Sequence, residues 1–446
     1  MRIAVIGAGW AGCTSAVDLA RRGHAVTVFE AGAVPGGRAR RVVRSGLPLD
    51  NGQHLLLGAY EATRRALAIV HGSEVPPRVL DRHPLAIHPL TPGRDVLALR
   101  SRGAGPLGLA LGLLSARGLR VGERLRLAAW FTRLARAGFR CPPGATVADL
   151  TAGCPPAATR ALWEPLCIAA LNTPPAQASG EVFANVLRAA FAGPTGASDF
   201  LVATTDLSAL FPEAALRSVA NAGGEVALGT PARLAAVSDD HVTIAARDGE
   251  RGFDAAVVAV GPHQIAGVLA DHPAFDDVRR AASGLAFEPI ATAWLGYAVR
   301  CPLPAPMLRL DDAPGQWLFD RPDILARAEP DPARPDLAQL VSVVVSASGP
   351  HDTMSAQALA HACDAQLRRL APGWPPLAFA QAIVERRATY ACMPQRPMPA
   401  SVLPHPRVAL AGDWLDADFP ATLEAAVRTG FAAGAAIDPR AAASER

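Results

Sequence analysis

The hydrophobic pattern of the first thirty residues changes period twice. "RIAVIGAG" (2–9) is a short β-branched apolar run and predicts a buried strand. "WAGCTSAVDLARRG" (10–23) places Ala16, Leu19 and Ala20 on one side at helical spacing, with Gly23 as a stop. "HAVTVFEA" (24–31) returns to a strand. Strand, turn, helix, strand opens a parallel α/β unit. Later, 207–237 reads helix, Gly-Gly turn, strand, and 253–269 reads strand, Gly-Pro turn, helix. Residues 407–437 read strand, loop, helix. One stretch breaks the pattern: in "PLDNGQHLLLGAY" (48–60), Asp50, Asn51, Gln53 and His54 stand between Leu49 and a leucine triplet. It is either a surface turn or a loop facing a polar ring system.

Composition narrows the class. Half of the 446 residues are hydrophobic and 19% are charged, which excludes a disordered chain and gives length for two or three domains. A formal charge of +3 is small for this length and does not imply nucleic acid. All 43 basic residues are arginine, so Schiff-base and lysine-base chemistry are excluded. Seven cysteines, none in a CxxC pair, read as reduced thiols in a cytoplasmic protein, and no histidine spacing suggests a metal. The N-terminus is no signal peptide, because the first strand follows Met1 at once. The apolar stretch 104–116 would reach about 20 Å as a helix, too short to span a bilayer. Residues 117–140 follow with seven arginines against Glu123, interleaved with Leu125, Trp130, Phe131 and Leu134. Two readings stand: segment 104–140 lies on an anionic membrane surface, or it is a buried helix with a solvated arginine face. The first would place the protein peripherally on the inner face of the cytoplasmic membrane.

The turn after the first strand is Gly7-Ala8-Gly9-Trp10-Ala11-Gly12, a GxGxxG in strand–turn–helix context. Gly7 permits the turn, Gly9 lets backbone N–H groups approach a pyrophosphate, and Gly12 lets the helix pack closely. Glu30, eighteen residues on, ends the second strand where a carboxylate accepts from ribose hydroxyls and disfavours a 2′-phosphate. This predicts a dinucleotide site. "AVPGGRARR" (33–41) adds Gly36, Gly37 and Arg38, suited to a phosphate or a flavin edge.

This last stretch resembles the GG doublet of the flavin amine oxidase and phytoene desaturase superfamily. So does "RVALAGDWLDADFPATLEAAVRTGFAAGAAI" (407–437) at the far end. The resemblance implies FAD as cofactor, with Gly412 and Asp413 near its ribityl-phosphate portion. It also implies a helix opening at Ala421, Thr422 and Leu423 whose N-terminus faces the flavin. It implies a strand at Ala232 running past the adenine, and Gly52, Gln53 and His54 beneath the ring. The fold expected is α/β: a discontinuous Rossmann-type FAD-binding domain (1–83, 205–275 and 400–446) with an inserted α+β substrate-binding domain (84–204 and 276–399).

More narrowly, "LDNGQHLLLGAY", "LWEPLCIAALNTP" (162–174) and "FLVATTDLSALFP" (200–212) are similar to the squalene-associated FAD-dependent enzymes of bacterial hopanoid pathways, the hydroxysqualene dehydroxylases. That resemblance implies reduction of a long-chain isoprenoid alcohol, hydroxysqualene, to squalene. The reaction needs an acid to protonate the leaving hydroxyl and an apolar site shielded from water. His54 is the first candidate acid and Glu164, flanked by Trp163 and Pro165, the second; Asp206 and Asn172 follow. Each has a purely structural alternative, a hydrogen-bonded histidine or a buried salt bridge. No second GxGxxG marks a nicotinamide site, so an external electron donor is expected. The rival readings are a carotenoid-type desaturase, a non-catalytic prenyl-lipid carrier, and an amine oxidase, from which the absence of lysine detracts.

Overall fold

The computed structural model describes residues 1–91, 97–101, 105–329 and 335–438. Residue 104, the first of the apolar segment, and residues 439–446, at the end of the expected cofactor domain, lie outside them. A five-stranded parallel sheet takes its strands from three distant parts of the chain. In spatial order they are Glu225–Ala227, β2 (Ala25–Phe29), β1 (Arg2–Ile6), Ala255–Val258 and Val408–Leu410. Ile3, Ala4, Val5 and Ile6 of β1 are all buried, as a central parallel strand covered on both faces requires.

Helix α1 (Trp10–Arg21) covers one face and packs against the C-terminal helix, Leu423–Ile437. Both packings depend on glycine. A Cβ at Gly12 would collide with the Gly7 carbonyl oxygen, and one at Gly430 would lie 2.5 Å from the Ala11 carbonyl oxygen. The Ser15 hydroxyl donates to the Gly430 carbonyl at 2.8 Å, fixing the crossing.

A second five-stranded sheet is antiparallel, in the order Met307–Arg309, Trp317–Asp320, Gln339–Ser346, Phe287–Tyr297, Leu377–Tyr390. The long helix Ala356–Leu370 packs beside it. Facing it, residues 105–192 are mainly helical, from the pair Gly105–Leu114 and Val121–Arg136 to Gly180–Ala192. A small antiparallel patch joins Leu56–Leu57, Phe200–Ala203 and Leu80–His83, tying the segment before residue 84 to the end of the segment 84–204. Among the described residues, no helix is long and apolar enough to cross a bilayer.

Candidate active site

A cleft of about 1230 Å³ runs along the carboxyl ends of the parallel strands, where open α/β sheets bind ligands. Gly7, Gly9, Trp10 and Ala11 line one wall. The first N–H groups of α1 have no intrahelical acceptor and carry the positive end of the helix dipole. Gly12 lies behind this wall, in contact with the Gly7 carbonyl. Gly36 donates its N–H to the Ala8 carbonyl at 2.8 Å, so the GG doublet packs directly on the turn. Its φ of 122° is one that side chains rarely adopt.

Glu30 lines the cleft with its carboxylate fixed by the N–H groups of Ala8 and Gly32, each at 2.7 Å. A carboxylate has further acceptor sites beyond those two bonds. Ala232 lines the cleft on the side of Glu30, whose carbonyl accepts from the Thr230 N–H at 2.7 Å, and Gly36, Gly37, Arg38, Gly412, Asp413, Ala421, Thr422 and Leu423 line the rest. Arg38 donates to Asp413 at 2.6 Å and to the Ala388 carbonyl at 2.7 Å. The C-terminal helix begins at this point, capped by the Thr422 hydroxyl accepting from the Ala425 N–H. Two helix N-termini, a glycine-lined wall and the Glu30 carboxylate therefore meet in one cleft. This donor set fits an extended dinucleotide.

The cleft opens at Arg38, His54, Glu385 and Thr422 into a second, largely apolar cavity between the antiparallel sheet and the helices. Trp163, Leu187 and Phe191 form one side, and Ile290, Trp317 and Val344 the other. The cavity's charged side chains, Arg38 and Glu385, lie at the junction with His54.

The polar run at 50–54 is not a surface turn. Asp50 is fully buried and accepts from the Leu207 N–H at 2.8 Å. It pairs at 3.0 Å with the equally buried Arg321. Burial pushes the Asp50 carboxyl up to about 6, with Arg321 opposing. Arg321 also donates to the Gln53 side chain at 2.9 Å, as Ser342 does at 3.1 Å. Gly52 and Gln53 line the apolar cavity rather than the dinucleotide cleft, and His54 lines both. His54 Nδ1 lies 2.9 Å from the Gly52 carbonyl, which can only accept, so Nδ1 carries the hydrogen. Burial lowers the His54 pKa, more than offsetting that hydrogen bond, and Arg38 lowers it further. The resting imidazole is neutral, with its Nε2 lone pair unused by Gly52.

The other expected acids lie elsewhere. Asp206 lines neither cavity. Its carboxylate caps the Leu207–Leu210 helix through the Ala209 N–H and pairs with Arg41 and Arg327. The expectation of a proton donor at Asp206 is therefore corrected, since three donors engage it away from the cavity. Glu164 is half-buried on the first turn of its helix, while its neighbours Trp163 and Leu166 are the ones that face the cavity. Asn172 does line the cavity, but its amide bridges Pro289, Thr389 and Ala347.

Sequence reasoning missed Glu385. It stands on the strand Leu377–Tyr390, accepts from the Asn51 amide at 3.2 Å, and is the carboxyl group lining the apolar cavity among the described residues. In "VERRATY" it reads as part of a solvated charge run. Only the pairing of this strand with Phe287–Tyr297 brings it to the junction.

The profile of the flavin containing amine oxidoreductase family matches residues 10–438. A protein of Rhodopseudomonas palustris named hydroxysqualene dehydroxylase is 28% identical over 441 residues, covering 96% of each chain. One of the same name from Sinorhizobium fredii is 26% identical over 448 residues, covering 96% of this chain and 95% of its own. Among solved structures, an oxidoreductase from Methanosarcina mazei superposes with a TM-score of 0.73 at 14% identity, over 97% of this chain and 99% of that one. The fold is thus the α/β architecture expected, and the cofactor that fits the cleft is FAD. This chain belongs to the flavin containing amine oxidoreductase family and is an FAD-dependent oxidoreductase.

Proposed function

We propose that this enzyme reduces an allylic isoprenoid alcohol, hydroxysqualene, to squalene. The observation that carries the reading is the junction itself: a dinucleotide cleft opening into a largely apolar cavity, with Arg38, His54 and Glu385 lining both. Two relatives spanning 96% of the chain and named for that reaction support it.

The residues proposed to hold FAD are those of the cleft. The N-terminus of α1, with Gly7, Gly9, Trp10 and Ala11, holds the pyrophosphate. Glu30 takes the ribose, Ala232 lies by the adenine, and Arg38 with Asp413 sits at the ribityl end. The terminal helix, starting at Thr422, is aimed at the ring. When bound and reduced, FAD supplies a hydride.

The substrate loses its C–O bond, with the proton on the departing oxygen giving water, and the allylic carbon gains the hydride. The protein's own part is electrostatic and steric. His54, protonated at Nε2, is the proposed donor. Its buried cation is destabilised, which makes it a strong acid and returns it to the neutral form after transfer. Glu385 is the second group able to hold a proton there. Neither residue then leaves an unpaired positive charge beside the cation, and Arg38 is already matched by Asp413. Trp163, Ile290 and Phe191 keep out the water that would recapture the cation. Reducing equivalents come from an external donor.

The direct test incubates chemically reduced enzyme with hydroxysqualene and identifies the extracted product. Squalene is expected. Hydroxysqualene recovered unchanged, together with desaturation of a hydrocarbon by the oxidised enzyme, would overturn the reading in favour of a desaturase.

A further inference from the structure

The corner where Gly105–Leu114 turns into Val121–Arg136 has two apolar faces. One looks inward: Leu109 lines the apolar cavity and Leu113 is fully buried. The other looks out. Leu107, Leu111 and Leu114, at i, i+4 and i+7, are 79%, 53% and 39% exposed, and Val121 and Leu125 across the turn are 62% and 56% exposed. Five of the eleven exposed large apolar side chains among the described residues thus fall between 107 and 125. Scattered single exposures need no explanation, but a cluster does.

Charge says what covers it. Arg117, Arg120, Arg124 and Arg126 are interspersed with the patch residues along the chain, with Glu123 the single acid between them. The Glu123 carboxylate accepts from the Arg120 backbone N–H at 2.8 Å as part of the helix cap. Arg124 and Arg126 donate to the carbonyls of Leu114 and Gly122, at 3.1 and 3.3 Å, which leaves their charge uncompensated. Among the described residues, none of the four arginines forms a salt bridge. A second copy of the chain is a poor partner, because a two-fold contact would set arginines against arginines.

We infer that this corner docks on an anionic lipid bilayer, its five exposed apolar side chains entering the acyl boundary and its four arginines meeting the headgroups. Leu109 belongs to the same helix, so docking sets the apolar cavity about one helix diameter, roughly 10 Å, from the lipid. That an isoprenoid enters past this helix rests on the proposed function; the docking itself does not.

The test sediments the full FAD-loaded chain with phosphatidylcholine vesicles made with or without phosphatidylglycerol. Binding should be at least tenfold stronger with phosphatidylglycerol and should fall as salt rises. L107D/L111D should lose at least tenfold of that binding, and R117Q/R120Q roughly tenfold on anionic vesicles alone. V299D, which changes an exposed apolar residue elsewhere, should bind like the parent. Retained flavin absorbance shows that each variant is folded. Equal binding to both vesicle types, or a parent-like L107D/L111D, overturns the inference. So does a patch variant that changes only the oligomeric state in light scattering while vesicle binding persists.

Discussion

Arg38 and Asp413, 375 residues apart in the chain, meet with Nη2 and Oδ1 at 2.6 Å. The contact joins the GG doublet to the loop before the C-terminal helix, so it closes one wall of the cofactor cleft. Asp413 is nearly buried, while the Arg38 side chain is one-third exposed. Asp413→Asn weakens the pair without leaving a buried charge. Arg38→Ala leaves the carboxylate unmatched and, allowing for solvent screening, should cost roughly 1–3 kcal/mol of apoprotein stability. Thermal unfolding should rank Arg38→Ala below Asp413→Asn, and flavin titration should show weaker FAD binding in both.

Arg321 is buried against Asp50 and reaches Gln53 from the same guanidinium. Arg321→Met strands a carboxylate in the interior and should destabilise by about 3–5 kcal/mol. Adding Asp50→Asn removes the stranded charge, so the double variant should be more stable than Arg321→Met alone. A double variant no more stable than the single one would mean that Asp50 is not the partner that matters.

As the proposed proton donor, His54 should make activity and stability move in opposite directions with pH. Its folded pKa lies below the ordinary value of 6.5, so below about pH 6.5 the unfolded chain takes up the proton more readily. Its contribution to stability is present above that range and is lost as pH falls through it toward the folded pKa. The proposed proton transfer uses the protonated form, so turnover should rise over the same interval. His54→Gln should flatten both profiles and lower turnover about a hundredfold or more. A variant that keeps the parent's pH–rate profile would remove His54 from the chemistry.

Glu385→Gln keeps the shape of the junction and removes a proton site. Turnover should drop at least tenfold with flavin binding and the visible spectrum little changed. If FAD is lost instead, Glu385 serves the cofactor and not the substrate.

The nucleotide-binding half was legible because its signals are local. An uninterrupted β-branched strand, a tight glycine turn and a helix follow one another within the first twenty-three residues, and their geometry follows from spacing. The polar run at 50–54 was legible only as an anomaly, because the arginine that explains it lies 271 residues from Asp50. Carboxylates were harder still. A sequence shows that Asp206 and Glu164 are acids, but not that Asp206 faces Arg41 and Arg327. Glu385 was hidden by its neighbours Arg386 and Arg387, and only strand pairing turns it toward the cavity.

The direction of the redox step is read out by an anaerobic single turnover. Enzyme whose flavin has been fully reduced is mixed with hydroxysqualene in detergent, and flavin absorbance and extracted lipid are followed together. One squalene should form for each flavin reoxidised, with matching time courses. Flavin that stays reduced while hydroxysqualene is recovered intact would contradict it.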